Sequence, residues 1–87
     1  METMVLKVAA ASTPVKVATS IVKNIEEGRC VETISIGAGA LNQAVKAITI
    51  ARGLAAAQGW DLTIRPGFYD LTIDRETKTA MRLLILK

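Results

Sequence analysis

The sequence predicts an α+β fold, a two-layer sandwich of two helices packed on a four-stranded sheet in the order β-α-β-α-β-β. Three observations predict it. The apolar period switches between two and about 3.6 residues along the chain. Proline and glycine stand where the period changes. Apolar residues make up 51% of the 87, enough for a core and too many for a disordered chain. A length of 87 residues implies one domain, residues 1–87, with no room for separate cofactor and substrate lobes.

The first strand is read over Met4 to Ala9, where Met4, Leu6 and Val8 share one face and Val5, Lys7 and Ala9 the other. Ser12-Thr13-Pro14 follows, a hydroxyl N-cap candidate with proline at the first helical position. From Val15 to Glu27, the residues Val17, Ala18, Ile21 and Ile25 form a helical stripe opposite Lys16, Ser20, Lys23 and Glu27, and Gly28 ends the helix. The β-branched run Val31 to Ile36 predicts the second strand, broken by Gly37-Ala38-Gly39. Ala40 to Gln58 has a second helical pattern. Leu41, Ala44, Val45, Ile48, Ala51 and Ala55 form its main apolar face, and Ala47, Ile50 and Leu54 extend that face round the cylinder. A helix so broadly apolar is covered on more than one side, and a second copy of the chain is the expected cover beyond the sheet.

Trp60, Leu62 and Ile64 alternate with Asp61, Thr63 and Arg65, predicting a third strand that Pro66-Gly67 interrupts. Tyr69, Leu71 and Ile73 resume the alternation. A polar five-residue turn, Asp74 to Lys78, leads into a last strand from Thr79 to Leu86.

Absences exclude several chemistries. Without histidine there is no Ser-His-Asp or Cys-His catalysis and no common zinc site. The lone Cys30 can make neither an internal disulfide nor a Cys₄ site, and reads as a buried, reduced thiol. No cofactor and no metal are expected. Asp61, Asp70 and Asp74 are explained as outward polar positions of strands, so an enzyme is not expected either. No apolar run reaches the ~18–20 residues of a membrane span, and Met1-Glu2-Thr3-Met4 lacks the basic, then apolar, start of a signal peptide. The expected location is the cytoplasm.

The sharpest local pattern is Ile36-Gly37-Ala38-Gly39-Ala40-Leu41-Asn42, a strand, two glycines and a helix start. It fails as a dinucleotide fingerprint because Asn42 stands at the third glycine position and no acid follows at a strand end. Two readings remain. Gly37 and Gly39 permit a tight turn and close packing, or they let an anion approach the free N–H groups of a helix start. Asn42, Gln43 and Lys46 form a polar patch in the same helix. Arg52 lies within the apolar stripe, either snorkelling to solvent or making an intersubunit or nucleic-acid contact. Arg75 and Lys78 sit in the hairpin turn, where Asp74 and Glu76 offset most of their charge. The net charge is +3 and the isoelectric point about 9.4, yet the cations are spread along the chain.

Gly37-Ala38-Gly39-Ala40-Leu41-Asn42-Gln43-Ala44-Val45-Lys46-Ala47-Ile48, continuing through Ile50-Ala51-Arg52-Gly53, closely resembles the stage V sporulation protein S family. Val5-Leu6-Lys7-Val8 and Asp70-Leu71-Thr72-Ile73-Asp74 fit the same family. The family resembles Alba-type proteins. The resemblance therefore implies an Alba-like β-α-β-α-β-β fold, a homodimer, DNA or RNA binding, and a role in sporulation or another regulatory process. The expected function is a non-enzymatic, regulatory nucleic-acid-binding homodimer. Its weak contacts would come from Gly37, Gly39, Asn42, Gln43, Lys46, Arg52, Arg75 and Lys78. The alternatives are a protein-protein interaction module that binds no nucleic acid, and a small phosphate- or nucleotide-binding domain.

Overall fold

Parallel neighbours need a crossover between them, and antiparallel ones only a turn. Both connections occur in the computed structural model, which describes residues 2–87. Met1, the first residue of the stretch read for a targeting signal, lies outside the described residues. The order is β1 (Thr3–Val8), α1 (Pro14–Glu26), β2 (Cys30–Ser35), α2 (Ala38–Ala56), β3 (Thr63–Ile73) and β4 (Glu76–Leu86). One mixed sheet runs β1-β2-β4-β3, with β1 and β2 parallel and joined through α1. β4 is antiparallel to both β2 and β3. This is the architecture expected from the sequence.

Alternation assigns the faces. Met4, Leu6 and Val8 of β1 join Val31, Leu83 and Ile85 in the core beneath the helices. Pro14 opens α1 with a preset φ, and Thr13 precedes it in an extended conformation without a side-chain cap bond. The Ser12 hydroxyl instead accepts a hydrogen bond from the Ala9 N–H at 2.9 Å, which shapes the loop before the helix. Ala18, Ile21, Val22 and Ile25 are the buried apolar stripe of α1. Asn24 is buried beside them, and its amide is satisfied by the Ser20 carbonyl (2.8 Å) and the Arg29 guanidinium (3.1 Å). Gly28 closes the helix at φ +84°, as the glycine predicts.

Small residues bring α2 close to α1 and the sheet. Its buried positions are Ala40, Ala44, Ala47, Ile48, Ala51 and Ala55. The expected face is thus rotated by part of a turn, with Ala47 inside and Val45 turned outward at 44% exposure. Both ends of α2 lie two residues earlier than the periodicity predicts.

Three expectations for the last third are corrected. Trp60 does not begin a strand; it packs half-buried against the core, and β3 starts at Thr63. Pro66-Gly67 does not interrupt β3, which pairs with β4 without a break from Thr63↔Leu86 to Ile73↔Glu76. β3 is an edge strand, where a proline can face away from the ladder and its missing N–H costs no bond. The turn is two residues, not five. Asp74 and Arg75 both have positive φ (50° and 67°), as a tight hairpin turn requires, and Lys78 already belongs to β4. Cys30 is half-buried rather than fully buried. No helix among the described residues is long and apolar enough to cross a membrane.

Candidate nucleic-acid interface

Because β1 and β2 are parallel, the chain leaves both strands at one end of the sheet, and α1 and α2 both start there. Two contacts join these starts. The Gln43 amide Nε2 donates to the Ser12 carbonyl at 2.9 Å, and a Cβ on Gly39 would stand 3.3 Å from that of Ala10. Gly37, the α2 N-cap, has φ +89° and ψ 159°, a conformation open to glycine and strained for other residues. The structure therefore gives both glycines a local structural task, one conformational and one steric. Neither helix has a side-chain cap bond or an acidic residue in its first turn. The free N–H groups and the positive ends of both dipoles consequently face the same end of the molecule.

The hairpin reaches the same end. β3 runs in the direction of β2, and the β2 ladder ends at Ser35↔Met81, level with Phe68. From there the ribbon continues through Ile73, roughly 17 Å at 3.3–3.4 Å per residue. Its twist brings Leu71 and Ile73 into a groove of about 290 Å³ shared with Lys7, Ile34, Ile36 and Ala40. Arg75 and Lys78 are thus carried on an arm beside the helix starts. Both are exposed, as are Asn42 and Lys46 on α2. Lys46, Arg75 and Lys78 make no ion pair among the described residues. Lys46 also borders an apolar groove of about 440 Å³ lined by Pro14, Val15, Val45, Thr49 and Ile50.

Two of the residues singled out from the sequence are engaged elsewhere. One N–H of the Gln43 amide donates to Ser12, which fixes the side chain and leaves one N–H and the carbonyl oxygen unused. Arg52 lies six residues beyond Lys46, about 9 Å further along the helix, and pairs with Asp61 at 2.9 Å. That pair borders an open groove of about 560 Å³ with Thr49, Gly53 and Trp60. The sequence reading missed Asp61 as the partner of Arg52, a contact between distant elements with no local signal. Asp61 is also far from Asp70, which accepts a hydrogen bond from Thr79 at 3.1 Å on the hairpin.

Other cations are neutralised locally. Arg29 bonds to Glu27 and lies 3.7 Å from Glu2. The hydrogen bond to Glu27 and its charge hold the Arg29 guanidinium above the usual arginine range, against a smaller opposing effect of burial. Arg82 lies 3.6 Å from Glu32 on the sheet face away from the helices. Among the described residues no group of three or more His, Cys, Asp or Glu forms a metal-binding cluster.

Comparison with known proteins agrees with this architecture. The solved structure of Alba from Thermoplasma volcanium superposes with a TM-score of 0.61, covering 94% of this chain and 95% of that one, at 15% sequence identity. At that identity the likeness shows a shared fold. The family described as Stage V sporulation protein S (SpoVS) matches residues 4–87, nearly the whole chain and all six elements. With an Alba-like fold and this family's sequence pattern from the first strand to the last residue, the chain belongs to the stage V sporulation protein S family.

Proposed function

We propose that the protein is a non-enzymatic, homodimeric nucleic-acid-binding regulator that holds the phosphate backbone with one end of its fold. The observation that supports this most is the convergence of two uncapped helix starts, without first-turn acids, beside the unpaired cations Lys46, Arg75 and Lys78. Backbone N–H groups from Ala38 to Ala40, ahead of the Leu41 N–H that bonds to the Gly37 carbonyl, and the side chains of Asn42 and Lys46 contact phosphate oxygens. Arg75 and Lys78 reach along the strand or duplex from the hairpin. Gly37 and Gly39 keep this surface free of side chains. Contacts of this kind bind without reading base sequence, and each releases counterions.

Dimerisation is supported by where apolar surface remains exposed. Val45 of α2 is exposed beside β3, and Ile64 and Phe68 of β3 lie on the helix side of the sheet. Phe68 is 79% exposed, a heavy cost for a large apolar ring unless another surface covers it. Val45, Thr49 and Arg52 share a groove with Leu62, Thr63 and Ile64, so helix and strand form one continuous surface. A second copy laid on this surface doubles the set of phosphate contacts.

The test is binding of fluorescent duplex and single-stranded oligonucleotides at low and at physiological ionic strength. Salt-sensitive, sequence-insensitive binding is the expected result. A complete lack of binding at low salt, with the same apolar surface capturing a protein partner, selects the interaction-module reading that Phe68 also favours.

A further inference from the structure

A four-stranded open sheet has two edges, and this chain protects only one of them. The β3 edge is long but carries Pro66 in its middle, together with Arg65 and Asp70, all devices that discourage strand addition. The β1 edge, Thr3–Val8, has no proline and a single charge, Lys7. Its main-chain groups are also in phase. The Glu2 carbonyl accepts from the Cys30 N–H at 2.9 Å, so the even-numbered residues of β1 address β2. Backbone direction alternates along a strand, and the N–H and C=O groups of Thr3, Val5 and Lys7 therefore point outward with no neighbouring strand.

We propose that β1 pairs antiparallel with β1 of a second copy of this chain, about a twofold axis at Val5. That register is self-complementary. Val5 faces Val5 of the second copy, and Thr3 faces Lys7, each pair exchanging the outward N–H and C=O groups. On the helix side Met4 meets Leu6, which are half-buried at the rim of the core and gain cover from each other. On the open side Val5, 42% exposed, is buried against its own copy. The lone charge of each strand meets a threonine hydroxyl and never its like. The opposed side chains match on both faces of the sheet and no charge meets its like, which is why the occupant is a second copy. The sheet then continues through eight strands, and the pairing uses a different side of the molecule from the apolar surface of α2 and β3. It stands independently of the nucleic-acid reading.

The test is native mass spectrometry with sedimentation velocity on the full chain at micromolar concentration. Four proteins are compared: wild type, Val5→Lys, Ile64→Glu and the double variant. Val5→Lys sets two lysines across the proposed axis while leaving an exposed position exposed in the monomer. The expected result is an assembly of at least four copies for wild type, two copies for either single variant, and one copy for the double variant. Mixing Val5→Lys with Val5→Glu should restore the lost association as a mixed pair of distinct mass, which a merely misfolded variant cannot do. A wild-type pair abolished by Val5→Lys alone keeps this inference and removes the α2 seam. A wild-type pair abolished by Ile64→Glu alone removes this inference and keeps the seam. A monomeric wild type, or failure of the Lys/Glu mixture to associate, overturns the β1 pairing.

Discussion

Arg75 pays for its position with backbone strain. Its φ of 67° lies in the left-handed region, which costs an L-residue with a Cβ about 1–2 kcal/mol and costs glycine nothing. Asp74 shares the turn at φ 50°, where its short side chain makes the conformation easier. A hairpin built for stability alone would place glycine at the second position. Keeping an arginine there makes sense if its charge is used. Arg75→Gly should therefore raise the urea midpoint by the equivalent of about 1 kcal/mol with an unchanged slope. The same variant should bind oligonucleotides more weakly, and its log–log salt dependence should fall by about one phosphate contact. Gain of stability with undiminished affinity would show that the guanidinium touches no phosphate. Thr33 and Ser35 raise a different residue-scale point. Their hydroxyls are buried without a hydrogen-bond partner, so each carries a desolvation cost that the rest of the fold outweighs.

At the scale of elements, β1, α1 and α2 were legible because their information is local. Alternation in Met4-Leu6-Val8, Pro14 at a helix start and Gly28 at a helix end act within a few residues of where they stand. The hairpin is legible too, but not its length, because Pro66 and Gly67 break strands in most contexts. Their tolerance here depends on β3 being an edge, which is a property of the whole sheet. Asp-Arg is likewise a poor turn signal, and only pairing from Leu71↔Lys78 to Ile73↔Glu76 fixes the tight turn. In the candidate site, the glycine turn and the patch Asn42 to Lys46 could be read locally. That the hairpin tip reaches the same end, and that Arg52 turns to Asp61, could not. The two helix starts yield an element-scale prediction. Ala38 is exposed in the first turn of α2, so Ala38→Glu adds a charge that complements the helix dipole. Stability should rise by about 0.3–1 kcal/mol in urea unfolding. Nucleic-acid affinity should fall in the same variant, because the carboxylate occupies the field a phosphate would use.

For the whole molecule, a net charge of +3 spread over 87 residues provides few phosphate contacts per copy. Useful affinity then depends on assembly, since a second copy makes further contacts effectively intramolecular and gains about 10²–10⁴ in avidity when the geometry permits. Ile64, 40% exposed where β3 meets α2 and at the far end of β3 from Arg75 and Lys78, separates assembly from contact chemistry. Ile64→Glu should abolish the α2 pairing in light scattering, lower oligonucleotide affinity at least 10-fold by that avidity argument, and roughly halve the salt slope. Its added negative charge alone would also weaken binding, so Ile64→Lys is the deciding companion. That substitution makes each copy more cationic while still forcing like charges into the apolar seam. If affinity is set by net charge, Ile64→Lys binds more tightly than wild type. If it is set by assembly, Ile64→Lys binds more weakly despite its extra positive charge, with the reduced salt slope of a single copy. The second outcome is the one expected, and anisotropy titrations at several salt concentrations distinguish it from the first.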